Sequence, residues 1–572
     1  MAEFKTPGVY IQEISTLPAS IVPVATAIPA FVGYTAQRFR NGETFEINTP
    51  VRVTSYLEYK EIFGESFEEN YTITITAGPS VAIADPANFS QYLMTYQVYM
   101  YFSNGGGPCW IVSVGDFLAE PSGNDIDVND LLDGLNVLEE EDEPTLLVVP
   151  EAVMLSDIDR KTLQDQMLAQ CAKLQDRFAI LDALHYTGQT VAEDGADFRS
   201  EVGSSDLKYA ASYYPNLKTI LFRNFNPNVL TVVDNRGGVG LGPFNGLAIE
   251  QLSTGQTFAS ATIRISNNAN ISGDAFTIGG NTFTEGAQFT QGAGNSTTAQ
   301  ALLAAIQTAA DPAYTASRQG EVITLVATTP GEAGAALLLT YTDAGANGGG
   351  VVSGEGTFSW ALPDKSLYNT IIASLQSKLM NLYPSAAMAG VYARVDSQRG
   401  VWKAPANVEI RSILRPVVAV SHEEQEVLNV DATSGKSINV IRFFQGKGNL
   451  VWGARTLAGN DNEWRYIPVR RLYIFIEESV KKATEFVVFE ANDANSWLRV
   501  KTMIENFLTN LWREGALAGA KSEQAFFVRV GLGQTMTALD ILEGRMIVEI
   551  GLAAVRPAEF IILKFSHKLQ ES

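Results

Sequence analysis

The chain has 572 residues, 46% of them apolar, with 63 acidic against 41 basic residues and a formal net charge of −22. That length exceeds what one hydrophobic core organises, so about three or four domains are expected. Binding to phosphate backbones needs concentrated Lys and Arg, so the charge argues against a nucleic-acid scaffold; acidity that only keeps a large protein soluble is an equal alternative. No apolar run reaches the roughly 18 residues a membrane span needs, and the nearest, TLLVVPEAVML, is broken by Pro150 and Glu151. Glu3 and Lys5 stand where a secretory leader would carry a basic cluster and an apolar stretch, so synthesis in the cytoplasm is expected. Cys109 and Cys171 lie far apart and make no metal or redox spacing.

The first element, in FKTPGVYIQEI, is a strand of Val9, Tyr10, Ile11 and Ile14 after a Pro7-Gly8 break. Pro18, Pro23 and Pro29 prevent it from folding straight back as a tight hairpin. Its backbone groups must pair with something if they are buried, and no partner is evident nearby. AIPAFVGY reads as a buried strand, YTITIT as an alternating one, YLMTYQVYMYF as an aromatic helix, and SNGGGPCWIVSV as a glycine turn feeding a strand. Val128, Leu131, Leu132 and Leu135 share a helix face, followed by the acidic EEEDE and strand TLLVVP. A helix carrying Leu163, Met167, Cys171 and Leu174 then leads to strand FAILDAL, which predicts a parallel βαβ unit.

Residues 251–356 differ in composition, with two arginines, no lysine and abundant Gly, Ala, Thr and Asn. TIRISN, DAFTIGGNTFT, EVITLVATT and LLLTYT read as strands around one helix, TTAQALLAAIQTAA, which suggests a compact β-rich surface module; low-complexity disorder is the competing reading. Beyond it, Leu472, Phe475, Ile476, Val480 and Ala483 mark an amphipathic helix, with Glu477 and Glu478 four residues ahead of Lys481 and Lys482. EFVVFEA is predicted as a strand, and Asn495 or Ser496 as the cap of the next helix. That helix puts Trp497, Val500, Met503, Ile504, Phe507, Leu508 and Leu511 on one face. RMIVEIGLAAV and AEFIILKFSH end the chain as strands.

Signatures of chemistry fail one by one. His185, His422 and His567 sit in unrelated contexts, and neither a zinc-ligand spacing nor a hydrolase elbow occurs. Gly435, Lys436 and Ser437 end like a phosphate loop, yet Val430 stands where that loop needs glycine. GGVGLGP imitates a dinucleotide fingerprint with Pro243 at its third glycine and no periodic helix after it. Asp461 and Glu463, beside Trp464 and Arg465, are one acidic pair among many. The expectation is no catalytic residue, no metal, no cofactor.

A set of collinear blocks resembles the tail sheath family of contractile phages and phage-tail-like injection systems. They are TPGVYIQEIS, TAIPAFVGYT, SNGGGPCWIVSV, RFAILDA, GVWKAPANVEI, NVIRFFQGKGNLVWGARTL, EWRYIPVRRLYIFIEESVKKATEFVVFEAND and AAVRPAEFI, spread over nearly the whole chain outside 251–356. Ala491 stands where the family often has proline, and a Cys-Asp pair near Val530 and Gly531 is missing.

The resemblance implies a mixed α+β and α/β multidomain fold, with a conserved sheath core built from N- and C-terminal segments and inserted α/β and β-rich domains. The expected partition is a linking arm at 1–25, a core of 26–50 with 380–555, a small α+β subdomain at 51–120, an α/β middle domain of 121–250 with 357–379, the surface insertion at 251–356, and a C-terminal arm at 556–572. It further implies a structural subunit, not an enzyme, that polymerises with itself as stacked hexameric rings around an inner tube protein. Baseplate and terminator or cap proteins would be its other partners, with no nucleic acid bound directly and no membrane insertion. The subunit would belong to an injection particle, or alternatively to a phage tail. In such sheaths the arms complete β-sheets in neighbours, a role that would fall to Val9, Tyr10, Ile11 and Ile14 and to Phe560, Ile561, Ile562, Leu563 and Phe565. The outward residues of the helix from Trp497, namely Arg499, Lys501, Asn506, Asn510 and Arg513, would face the tube. A hydrolase or carbohydrate-binding enzyme with an accessory module, and a baseplate or cap relative of the sheath, are the rival readings.

Overall fold

The structure is a computed structural model that describes residues 21–76, 80–236, 244–253, 258–330, 332–345, 350–353, 356–358 and 364–564. Runs such as PAFVGYT and FAILD are buried at every position, as strands covered on both faces must be. They belong to an eight-stranded sheet whose spatial order is Gly448–Val451, Ile438–Phe444, Ala210–Tyr214, Phe178–Asp182, Leu146–Val148, Pro29–Thr35, Cys109–Asp116 and Pro50–Val53. The six central strands run parallel and the two edge strands antiparallel. The predicted βαβ unit is present: strand Leu146–Val148 leads through helix Asp157–Leu174 to its parallel neighbour Phe178–Asp182. Helices Met94–Ser103, Val128–Asn136, Asp157–Leu174 and Pro384–Arg399 pack on the sheet. Gly390 lets two of them approach, because a Cβ there would meet the carbonyl oxygen of Tyr101 at 2.3 Å.

Three smaller cores surround this one. The first joins Tyr71, Ile73 and Ile75 to Leu230, Val232, Leu247, Ile371 and Leu375, around a three-stranded sheet and helix Lys365–Gln376. The second lies wholly within 258–358, where two four-stranded sheets pack with helix Asn295–Ala309. The third unites Ile21 and Val401 with helices Ile467–Thr484 and Ala494–Arg513 and the hairpin of strands Phe526–Arg529 and Glu549–Leu552.

The eight-stranded sheet takes strands from 26–50, 51–120, 121–250 and 380–555 together, since parallel neighbours are joined by long crossovers and need not be near in sequence. Several local expectations are corrected. EFVVFEA is not a strand: Glu485–Val487 is a 3₁₀ turn and Phe489 has φ +69°, because strand formers pair only where a neighbouring strand exists. Asp493, not Asn495 or Ser496, caps the next helix, its carboxylate accepting from the amides of both at 3.0 Å. Glu478 pairs with Lys482 as predicted (3.4 Å), whereas Glu477 turns back to Arg470 (2.7 Å). Within AEFIILKFSH, residues up to Lys564 form no strand with their own chain, and the rest lies outside the described residues.

Glu151 is fully buried, accepts hydrogen bonds from the amides of Leu93 (2.9 Å) and Met94 (2.7 Å), and leaves its second oxygen unpartnered. Burial raises its pKa to about 8 against the two lowering amide bonds. A raised folded-state pKa means the group's stabilisation is full below the ordinary carboxylate range and is lost as pH rises through about 8. Glu151→Gln is therefore expected to flatten the fall in melting temperature between pH 5 and pH 8.5 and to be the more stable protein at the upper end, by about 3 kcal/mol. Parallel pH profiles for the two proteins would contradict this.

Candidate intersubunit surfaces

The hairpin Phe526–Arg529 with Glu549–Leu552 is a two-stranded sheet in which no third strand pairs among the described residues. Val528 turns into the third core while Phe527 is exposed, so one face is anchored and the strand edges remain available. After the hairpin, Ala553 bonds to Ala525 and Val555 to Ala516, and the chain then crosses toward the large sheet. Phe560, Ile561, Ile562 and Leu563 follow, 71–79% exposed and unpaired, four apolar side chains in succession. Phe565 lies outside the described residues, as do Val9, Tyr10, Ile11 and Ile14.

The first and last described segments of the chain lie where the large core meets the third core. At the N-terminal side, Ile21 is buried in the third core, the Val24 amide donates to Ser479 Oγ (3.2 Å), and the Ile28 amide donates to Thr145 Oγ1 (2.9 Å). Between them the carbonyl of Thr26 accepts from Arg471 (2.7 Å). That guanidinium also donates to both carboxylate oxygens of Asp396, at 3.0 and 2.5 Å, and lies over the Tyr392 ring. A cavity of ≈ 20 Å³, room for a single water, separates this root from Phe178 and Phe475. At the C-terminal side, Glu559 is gripped by Arg455 at 2.9 and 2.7 Å, by Asn429 at 2.8 Å and by the Tyr466 hydroxyl at 3.2 Å. Burial would raise the Glu559 carboxyl, but these bonds outweigh it and hold it below the ordinary value. Reading the sequence missed Arg455, Glu559, Arg471 and Asp396: charged residues embedded in apolar blocks such as LVWGARTL were the available signal, without any indication of their partners.

The helix Ala494–Arg513 turns Val500, Met503, Ile504, Phe507, Leu508 and Leu511 inward. Arg499, Asn506, Asn510 and Arg513 are exposed along one flank of the helix, whereas Lys501 is half-buried and lies well round the helix from them. Arg499 lies over the Phe486 ring (5.3 Å), and Lys501 makes a loose pair with Glu505 (3.8 Å). Beside this side, Phe489 is fully exposed and Val488 and Leu498 largely so.

The lookalike motifs are otherwise employed. Lys436 is buried and donates to the carbonyls of Arg199 (2.6 Å) and Val202 (2.5 Å), while Ser437 bonds to the carbonyl of Asn429 (2.6 Å). Asp461 accepts from the amides of Glu463 (2.7 Å) and Trp464 (3.1 Å), a turn motif. GGVGLGP lies outside the described residues. His185 pairs with the buried Asp194 (2.7 Å). Among the described residues no cluster of His, Cys, Asp and Glu could hold a metal, and no helix is long and apolar enough to cross a membrane. A cleft of ≈ 670 Å³ on the second core is lined by Asn281, Thr282, Gln288 and several alanines, with Phe283 and Phe289 buried beneath it.

A mixed α/β multidomain chain with an open strand pair and an unpaired apolar tail has the character of an assembling structural protein. Two family profiles match in succession: "Phage tail sheath protein central domain" over residues 244–457 and "Phage tail sheath C-terminal domain" over 459–568. The tail sheath protein of Vibrio phage KVP40 is 27% identical over 127 residues, 22% of this chain and 18% of that one. A putative prophage major tail sheath protein of Pseudomonas aeruginosa is 25% identical over 136 residues, 23% of this chain and 34% of that one. These alignments thus span between 18% and 34% of the curated relatives. Solved structures match over nearly the full length. The sheath complex of the extracellular contractile injection system PVC, in its contracted state, is 26% identical with a TM-score of 0.54, covering 99% of both chains. The helical sheath of the anti-feeding prophage, also contracted, is 26% identical with a TM-score of 0.54, covering 99% of this chain and 100% of that one. The chain belongs to the contractile tail sheath family. That family is structural, not enzymatic.

Removing one member of a buried ion pair strands the other charge. Arg471→Leu, which leaves the buried Asp396 alone, is expected to cost about 3 kcal/mol, and the double variant Arg471→Leu with Asp396→Asn should recover much of the loss in a chemical denaturation series. Equal stability of the single variant and the unaltered chain would rule the pair out as a structural tie.

Proposed function

We propose that the chain is the sheath subunit of a phage-tail-like contractile injection system. It polymerises as stacked hexameric rings around an inner tube, in an extended metastable state, and contracts to drive the tube through a target envelope. Work comes from a lattice moving to better-packed interfaces, without nucleotide hydrolysis. A baseplate starts contraction and a terminator closes the far end. The observation that carries the reading is the coexistence of a strand pair without a third strand and an apolar tail without a strand partner among the described residues. Strand addition suits a contracting lattice, because main-chain pairing holds while the attached bodies rotate. About five bonds per arm at about 0.5–1.5 kcal/mol net each give an arm about 3–7 kcal/mol. The full-length likeness to sheaths of PVC and the anti-feeding prophage supports an injection system. The phage-derived profiles and relatives favour the second reading, the sheath of a phage tail, and neighbouring genes for a capsid would decide for it.

In this reading the large sheet core and the third core form the conserved sheath body. The module 258–358 projects from the outer wall, since its own closed core owes little to the lattice. The arm of Val9, Tyr10, Ile11 and Ile14 and the tail of Phe560–Leu563 and Phe565 are the linkers, and the flank of Arg499, Asn506, Asn510 and Arg513 meets the tube.

Deleting Met1–Ser15 removes no residue of any described core, so the truncated chain should keep its circular dichroism and form no coherent cylinders. Contractile cylinders of normal length from the truncation would overturn the arm. Exposed charge contacts are each worth about 0–1 kcal/mol, weak enough to release yet additive over a lattice. Reversing Arg499 and Arg513 to Glu, with and without Lys501→Glu, is expected to give folded subunits that contract early or assemble without a tube. Extended, tube-filled cylinders from all variants would exclude this helix as the grip, and density for 258–358 against the tube in the same micrographs would exclude the outward module.

A further inference from the structure

We propose that Glu559 and Arg455 are the positioning residues of the C-terminal arm: their clamp pins the root of the arm to the large sheet, so that a pull on the tail is delivered there and not to the small hairpin. The inference rests on the assembly reading above and concerns how the arm is held, not what it pairs with.

The route of the force is continuous. Arg455 is bound to the sheet through its backbone as well as its side chain. Its amide donates to Asn439 Oδ1 and its carbonyl accepts from Asn439 Nδ2, both at 2.8 Å, on strand Ile438–Phe444. The same Asn439 amide donates at 3.1 Å to the carbonyl of Ser212 on the next strand, Ala210–Tyr214, deep in the sheet. Gly453 keeps this lock open, since a Cβ at that position would stand 2.7 Å from Asn439 Oδ1. Leu457, two residues on, donates its amide to the carbonyl of Ala210 (2.8 Å), which ties the other side of the Arg455 loop to the same strand.

Glu559 closes the route from the tail. Its side chain is 21% exposed and that of Arg455 5%, so the paired bonds are partly shielded from water and from screening. Arg556, three residues earlier, adds a bond to the carbonyl of Asn462 (2.7 Å). By contrast the hairpin that precedes the tail is held by a single strand partner. Without the clamp, tension on Phe560–Leu563 would peel Val555 and Ala553 from Ala516 and Ala525, one bond at a time. With it, the load enters two sheet strands along several bonds at once, in shear. The N-terminal root has the same design, in which Arg471 takes the Thr26 carbonyl and is itself fixed by Asp396.

The test uses Glu559→Gln, which keeps the side-chain shape, together with Glu559→Ala. Dilute full-length subunits are treated with chymotrypsin and read by intact mass. A protease needs several residues on both sides of the cut bond to be free, so a pinned Glu559 protects the bond after Phe560 more than the bond after Leu563. Both variants are expected to raise cleavage after Phe560, relative to cleavage after the exposed Leu563, by about five-fold or more, in digests run well below each variant's melting temperature because Arg455 loses its carboxylate partner. Cylinders assembled from Glu559→Gln should then fall apart at lower urea concentration than those of the unaltered chain. Unchanged cleavage ratios, or cylinders of equal urea resistance, would overturn the clamp; should Glu559→Ala fail to fold, Glu559→Gln alone decides. If the unaltered chain forms no cylinders, the assembly reading fails, while the cleavage ratio still judges the clamp.

Discussion

Parallel strands cannot be joined by tight turns, and the eight-stranded sheet makes that constraint govern the molecule. Each step between parallel neighbours sends the chain out of the sheet and back. The excursion between Tyr214 and Ile438 is the longest: it holds the β-rich module, and it joins the excursion between Thr35 and Cys109 in building the three-stranded core. The first two smaller cores are thus a consequence of one topology: the sheet gathers strands from both halves of the chain, and these cores are accommodated in its crossovers. Among the described residues the segment beyond Val451 does not return to the sheet as a strand, and it is this part that carries the open hairpin and the unpaired tail.

A body made this way presents a mechanical problem at its seam. The large core and the third core meet through helix Ile467–Thr484, and the first and last described segments of the chain lie beside it. Two buried guanidinium groups, Arg471 and Arg455, stand at these two segments, each with a carboxylate partner and a backbone contact. Buried pairs of this kind contribute little net stability but strongly favour one geometry, since a displaced partner leaves a charge unpaired in low dielectric. That is a suitable property where direction matters more than strength.

The phosphate-loop lookalike has a structural use. Lys436, the lysine of the phosphate-loop lookalike, is spent on two carbonyls beside the sheet, and burial lowers its pKa. The polar groups that are buried serve to register strands and helices against each other, as Asn439 does between Arg455 and Ser212.

Periodicity and punctuation determined the local elements. The βαβ unit, the amphipathic helices with Leu472 and Val500, and the strands of the insertion were legible because burial on one or both faces imposes a pattern within a few residues. The collinear sheath blocks were legible for the same reason, as short stretches of fixed composition. What the tertiary structure alone decided was everything that joins distant residues. EFVVFEA has the composition of a strand, but only the fold determines that no neighbouring strand lies beside it. Arg455 and Glu559 are 104 positions apart, and nothing in either stretch names the other. A hydrogen bond depends on distance in space, and a parallel sheet places residues in space with little regard for their order along the chain.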